Sequence, residues 1–353
     1  MNDNEINDSR QANEFKSTTF SKFARSKVKK ELLLSIINYK IEPACYWSTE
    51  LICAGHFQDL WDILLLYMSR YIHIGNPKLP IYMDMRFQTF KNIIDNGYID
   101  NELGLRNNEK IRKLFAELIC ILIRSRKKHA FESLAIKDIS EFDITNLTDR
   151  LKAPDITFGQ EIFKKDDPKE LFIAINEFSY HLLKSKDITS ACYWVEWILQ
   201  FDNICKRKKI ILTCERRSLI PVNEKYQMEV IWIVWNVLIE YSNKKSSVYS
   251  KIIKSLLNLY CIKFTPGVKK KRKYLIYSAI SFLTETIDFT IPLVDNKEFI
   301  ENISNKINII YREVKKNEIT PSTDYLFNGI QRSNLEKSIE KLDKLDIILQ
   351  KKP

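Results

Sequence analysis

Ala44-Cys45-Tyr46-Trp47 recurs as Ala191-Cys192-Tyr193-Trp194 in a chain of 353 residues that holds only 7 Cys and 6 Trp. Both residue types are scarce, so the repeated tetrapeptide marks an internal duplication, and the flanking segments extend it. Lys30-Glu31-Leu32 before the first copy answers to Lys169-Glu170-Leu171 before the second. Downstream, Trp61-Asp62-Ile63-Leu64 answers to Trp235-Asn236-Val237-Leu238, and Ile81-Tyr82 to Val248-Tyr249. Lys110, Arg112 and Lys113 then answer to Lys270, Arg272 and Lys273. The helical segments recur in one order while the offsets between them vary, as in a duplicated unit whose loops have drifted. The expected fold is all-α: two tandem divergent repeats of about five helices, solenoid-like, plus C-terminal helices. Trp47, Trp61, Trp194 and Trp235 are read as the repeat core anchors.

The expected divisions are a disordered tail over 1–20, repeat 1 over 21–137, an irregular linker over 138–167, repeat 2 over 168–290 and C-terminal helices over 291–353. The tail is polar and aperiodic, which suits disorder. Helices are expected over about 21–39, 57–73, 80–96 and 108–127, with Ile111, Leu114, Phe115, Leu118, Ile119 and Leu122 on one face of the last. Pro43 suits a first helical turn and Gly55 a helix stop. Asp166-Asp167-Pro168 reads as a helix start, with an Asp cap ahead of proline. A helix over about 295–316 and an amphipathic helix over about 332–350, carrying Leu335, Ile339, Leu342, Leu345 and Leu349, close the chain. That last helix docks on its own domain or mediates oligomerisation.

Few Gly (7) argue against a turn-rich β fold and glycine-rich nucleotide loops, while 45% hydrophobic residues supply ample core. An odd cysteine count without any CxxC pair points to a reducing compartment, with the thiols buried as small hydrophobes. The acidic opening has no apolar signal-peptide core, and no apolar run is long enough to span a membrane. The expected location is intracellular.

The candidate catalytic sets fail on spacing. Neither GxxxxGK[ST] nor GxGxxG occurs, no GxSxG elbow is present, and Cys53, His56 and His73 lack a second close pair for a metal. Asp155, Glu161 and Lys164 follow E-x-x-K spacing, where a nuclease would need E-x-K. The chain is expected to be no enzyme and to hold no cofactor or metal. Net charge of +11 favours anionic partners. The basic clusters are Lys206-Arg207-Lys208-Lys209, Arg216-Arg217 and Lys269-Lys270-Lys271-Arg272-Lys273, which at this density can neutralise phosphates without reading bases. Arg124–His129 is better explained by the helix dipole. Ile72–Pro80, IHIGNPKLP, is the candidate recognition loop.

EPACYWSTELICAGHFQDLW, YIHIGNPKLPIYMDMRF, KIRKLFAELICIL and DDPKELFIAINEF together resemble an uncharacterised protein family of large nucleocytoplasmic DNA viruses of algae and protists. The resemblance covers most of 21–290. It implies a viral origin and a place in the virion or the virus factory of the host cytoplasm. With the basic edges, the expected function is a non-enzymatic structural or assembly protein in contact with other viral proteins; the alternative is a replication or transcription accessory protein that binds DNA or RNA by backbone contacts through those edges. Residues 42–85 are also similar to the helical oligomerisation region of clamp-loader-like ATPases. The ATPase core has no counterpart, so neither ATP hydrolysis nor clamp loading carries over.

Overall fold

In the computed structural model, which describes residues 5–319 apart from 11, 100, 129–131, 133, 135, 137, 138 and 143, the chain is all-α. A lone bridge between Thr18 and Ala24 is the extent of β pairing among the described residues. The first stretch comprises α1 (Arg25–Ile37), α2 (Ile41–Cys53), α3 (Phe57–Tyr67), α4 (Leu79–Asp95), α5 (Glu102–Asn107) and α6 (Glu109–Arg124). After the short α7 (Thr157–Gln160) come α8 (Phe172–Tyr180), α9 (Ile188–Arg207), α10 (Ile231–Lys245), α11 (Ser247–Tyr260), α12 (Val268–Lys271) and α13 (Lys273–Thr284). Finally α14 (Lys297–Lys315) returns to pack on α2 and α6.

Local signals act where the sequence places them. Pro43 lies in the first turn of α2, and Gly55 ends that helix at φ +73°, a conformation that glycine adopts without strain. The Asn108 side chain caps α6 by accepting from the Ile111 N–H. All six apolar residues expected on one face of α6 are buried, each contributing about 1.5–3 kcal/mol relative to exposure.

One apolar cluster runs from α1 through α13 into α14, so both stretches share an interior. Trp61, Trp194 and Trp235 are fully buried in it. Trp47 is not their equal: it is half-buried at the cluster's margin, edge-on to Phe23 and Tyr46.

The segment expected to be a recognition loop instead seals the seam between the stretches. From Ile72 to Pro80 only Lys78 is exposed. Nδ1 and Nε2 of His73 lie 3.0 and 2.9 Å from the hydroxyls of Ser278 and Ser281 on α13. Asn76 donates to the Ser125 hydroxyl and the Leu293 carbonyl. A Cβ on Gly75 would stand 2.4 Å from the Arg126 carbonyl oxygen, so the chains approach as only glycine allows. Glycine and the prolines read as a turn; what they permit is close backbone packing.

Burial lowers the His73 imidazole to about 4, from 6.5. Between pH 6.5 and 4 the unfolded chain binds a proton that the folded chain refuses. Stability from this residue is therefore complete above 6.5 and falls by about 1.4 kcal/mol per pH unit across that window. His73→Asn, which removes the titrating imidazole, is expected to flatten the fall in urea midpoint between pH 6.5 and 4. An unchanged slope would refute the assignment. His56 and His181 are lowered by burial too, so some slope persists in the variant.

The segment 5–20 is packed, contrary to the expected disorder. Ile6, Phe15 and Phe20 are buried with Cys53 of α2, the Ala54 that follows it, and Tyr311 and Val314 of α14. Arg10 is held by Asp8 and by the Phe20 carbonyl. These apolar residues show no period because α14 and α2, not a helix of their own, cover them. Asp167 is likewise no helix cap: the α-helix begins at Phe172, and the Asp167 carboxylate faces Arg217. The amphipathic segment 332–350 lies outside the described residues.

Candidate functional site

The helix α9 is built to end in positive charge. Asp187 caps its start by accepting from the Thr189 and Ser190 N–H groups, and Lys206 and Arg207 occupy its last turn, where cations complement the dipole. Lys209, at φ +61°, turns the chain out of the helix, and the Ile210 N–H donates back to the Cys205 carbonyl. An irregular excursion follows, with a short 3-10 turn at Glu224–Tyr226, before α10 begins at Ile231.

Two of the basic clusters converge on Glu229. The Lys206 ammonium lies 3.0 Å from the Glu229 carboxylate and 3.2 Å from Asp202, one helical turn back. Lys269 of α12 reaches the same two carboxylates, 2.6 Å from Glu229. The Cys214 thiol donates to the Glu229 carbonyl, while Arg217 nearby in sequence turns to Asp167. Although burial opposes the charged form, Glu229 and Asp202 hold the Lys206 ammonium above its ordinary value.

The clusters divide by role. Lys206, Arg217, Lys269, Arg272 and Lys273 serve the fold. Arg217 is buried against Asp167. Arg272 is buried between the Asp62 carboxylate, at 2.7 Å, and the carbonyls of Tyr260 and Ile262. Lys273 pairs with Glu196 at 2.7 Å. The sequence places these cations at a phosphate-binding edge; neighbouring carboxylates and carbonyls claim them instead, and for the buried Arg217, Lys269 and Arg272 an unpaired charge would be costly. Arg207, Lys208, Lys209, Arg216, Lys270 and Lys271 are exposed and make no side-chain ion pair among the described residues.

The Arg124–Lys128 cluster is a set of tethers. Arg124 lies over the Phe299 ring, Lys127 donates to the Ile37 carbonyl, and Lys128 pairs with Glu285. Nothing local in the sequence signals the acids that sort these cations, except for the i, i+4 spacing of Asp202 and Lys206.

Elsewhere among the described residues lie two of the larger clefts. One, of about 1140 Å³, opens between α4, α5 and α6 and is lined by polar residues such as Asn92, Asn96 and Asn101. The other, of about 820 Å³, has Phe57, Trp61, Phe87 and Phe90 against Lys263. Several of its polar lining groups are engaged: Gln58 donates to Asp62, Asn258 to Asp84 and Arg25 to Asp59. Among the described residues no three His, Cys, Asp or Glu side chains are placed to hold a metal ion, and all seven cysteines are buried free thiols. Among them too, no helix is long and apolar enough to cross a membrane. Comparison with protein-family models, curated proteins and solved structures finds no match to this chain.

Proposed function

We propose that this chain is a non-enzymatic structural or assembly protein of a large DNA virus, a virion component or virus-factory scaffold that meets its partners through the basic end at α9 and α12. The reading rests on the convergence of Lys206 and Lys269 on Asp202 and Glu229, which sets five exposed cations, Arg207, Lys208, Lys209, Lys270 and Lys271, at one end. Supporting it, buried ionisable groups elsewhere act as tethers: Glu177 accepts from the Lys152 and Ala153 N–H groups, and His73 joins α13. Mass spectrometry of purified virions and of isolated factories tests the proposal; absence from both would sink it.

The same proposal treats the two stretches as one duplicated unit. Support comes from matched packing: α2 packs on α1, α3 and α6, and α9 on α8, α10 and α13. Each of these two helices carries one ACYW copy.

A second reading, nucleic-acid binding through phosphates, is favoured by the exposed, unpaired cations at the basic end. If all five engage duplex DNA, log K is expected to fall with log salt at a slope of about −4.5. Filter binding or fluorescence anisotropy across a salt series measures it. A slope near zero would remove nucleic acid from consideration.

A further inference from the structure

The excursion between α9 and α10 carries apolar groups that phosphate contacts leave unused. Ile211 is 78% exposed, the highest value among the exposed large hydrophobic residues described, and Ile210 is 51% exposed. Leu219 and Met228, in the same excursion, are 50% and 41% exposed. Exposed aliphatic groups cost solvation unless something covers them.

This excursion is pinned at several points. The Cys214 N–H donates to the Met228 carbonyl, Arg217 is buried against Asp167, and Ile220 is buried in the core. Leu212 packs on the same core one residue after Ile211. The fold therefore spends its anchors on the residues beside the isoleucine pair and leaves the pair outside. Lys208 and Lys209 precede it directly, and Arg207, Arg216 and Lys225 are exposed within the same segment. From Cys205 to Val230 the chain has seven basic and three acidic residues. Two of those acids are neutralised, Glu215 by Lys164 and Glu229 by Lys206 and Lys269.

Aliphatic tips amid unpaired cations match one chemistry on both counts. An anionic bilayer offers phosphates and carboxylates at the headgroup level and a hydrocarbon boundary just beneath. A nucleic-acid backbone satisfies the lysines but gives the isoleucines only water. We infer that the excursion docks on an anionic lipid surface, with Ile210 and Ile211 entering the acyl boundary and Lys208, Lys209 and neighbouring cations on the headgroups. The inference rests on the basic end being a contact surface and gives that surface its partner.

The test is co-sedimentation of the full chain with phosphatidylcholine vesicles containing about one-third phosphatidylserine, against phosphatidylcholine alone. Binding to the anionic vesicles only is expected. Ile210→Ser with Ile211→Ser should weaken it about ten-fold while leaving affinity for duplex DNA unchanged. Lys208→Gln or Lys209→Gln should weaken it about five-fold each. All four side chains are exposed, so an unchanged circular dichroism spectrum and urea midpoint are expected to accompany these losses. No binding to anionic vesicles overturns the inference. Equal vesicle affinity of the Ile210→Ser, Ile211→Ser variant and the parent also overturns it, since charge alone, as nucleic acid would use it, then suffices. A parent dimer that the same variant dissolves would instead assign the pair to a second copy. Vesicle binding is independent of recovery from virions, so this inference and the proposed function fail separately.

Discussion

Trp194→Ala is expected to lower the free energy of unfolding by about 3–5 kcal/mol, and Trp47→Ala by less than half as much. Both tryptophans end an ACYW copy, yet their surroundings differ. Trp194 is 1% exposed, with Tyr193 and Trp197 rings at 5.3 and 6.1 Å, on a helix packed against α8, α10 and α13. Truncation there leaves a cavity that rigid helices on three sides cannot close, so lost transfer energy and lost contacts add. Trp47 packs edge-on against Phe23 and Tyr46 at 5.5 and 5.1 Å, with part of its surface already in water. Water fills most of what its removal opens. Urea denaturation of the two variants, with m-values checked for two-state behaviour, measures the difference. Equal costs would restore the two residues as equivalent anchors.

That asymmetry shows what a periodic sequence can and cannot express. The stripe on α6, from Ile111 to Leu122, was legible because a period of 3.6 states which face is apolar. Gly55 was legible as a stop because its conformation is a local matter. Whatever covers a face is set by segments far away in sequence. Ile6, Phe15 and Phe20 lack a period and become core only because α14, some three hundred residues on, lies over them. Ile72–Pro80 has the composition of an exposed turn, and its burial depends on Ser278 and Ser281 of α13. The basic clusters divided in the same way. Among the described residues Lys208 and Lys209 make no ion pair, whereas Asp202 and Glu229, 67 and 40 residues away, claim Lys269. Counting cations along the chain measures charge. Only the fold says which of them are spent on itself.

Arg217, grouped by sequence with the phosphate-binding residues, carries the sharpest consequence of that distinction. Its side chain is 2% exposed and that of Asp167 0%. The Asp167 carboxylate accepts from the guanidinium on both oxygens and also from the N–H groups of Lys164 and Glu215, so it ties the start of the α8 segment to the excursion. Burial works against the guanidinium, but Asp167 holds its pKa above the ordinary value, and it stays charged at any accessible pH. Asp167→Asn keeps the shape and removes the counter-charge, which leaves a buried cation unpaired. The expected cost is about 3–5 kcal/mol. Arg217→Met strands the carboxylate at a similar cost. The double variant should recover much of the loss, because neither charge then remains to be desolvated alone. Urea titrations of the four proteins close the double-mutant cycle. Strictly additive costs would mean that the pair is not coupled and that Arg217 contributes by packing alone. The partner assay gives the complementary readout: Arg217→Met should leave the salt slope of DNA binding unchanged, while Lys208→Gln should make it shallower and leave the urea midpoint where it was.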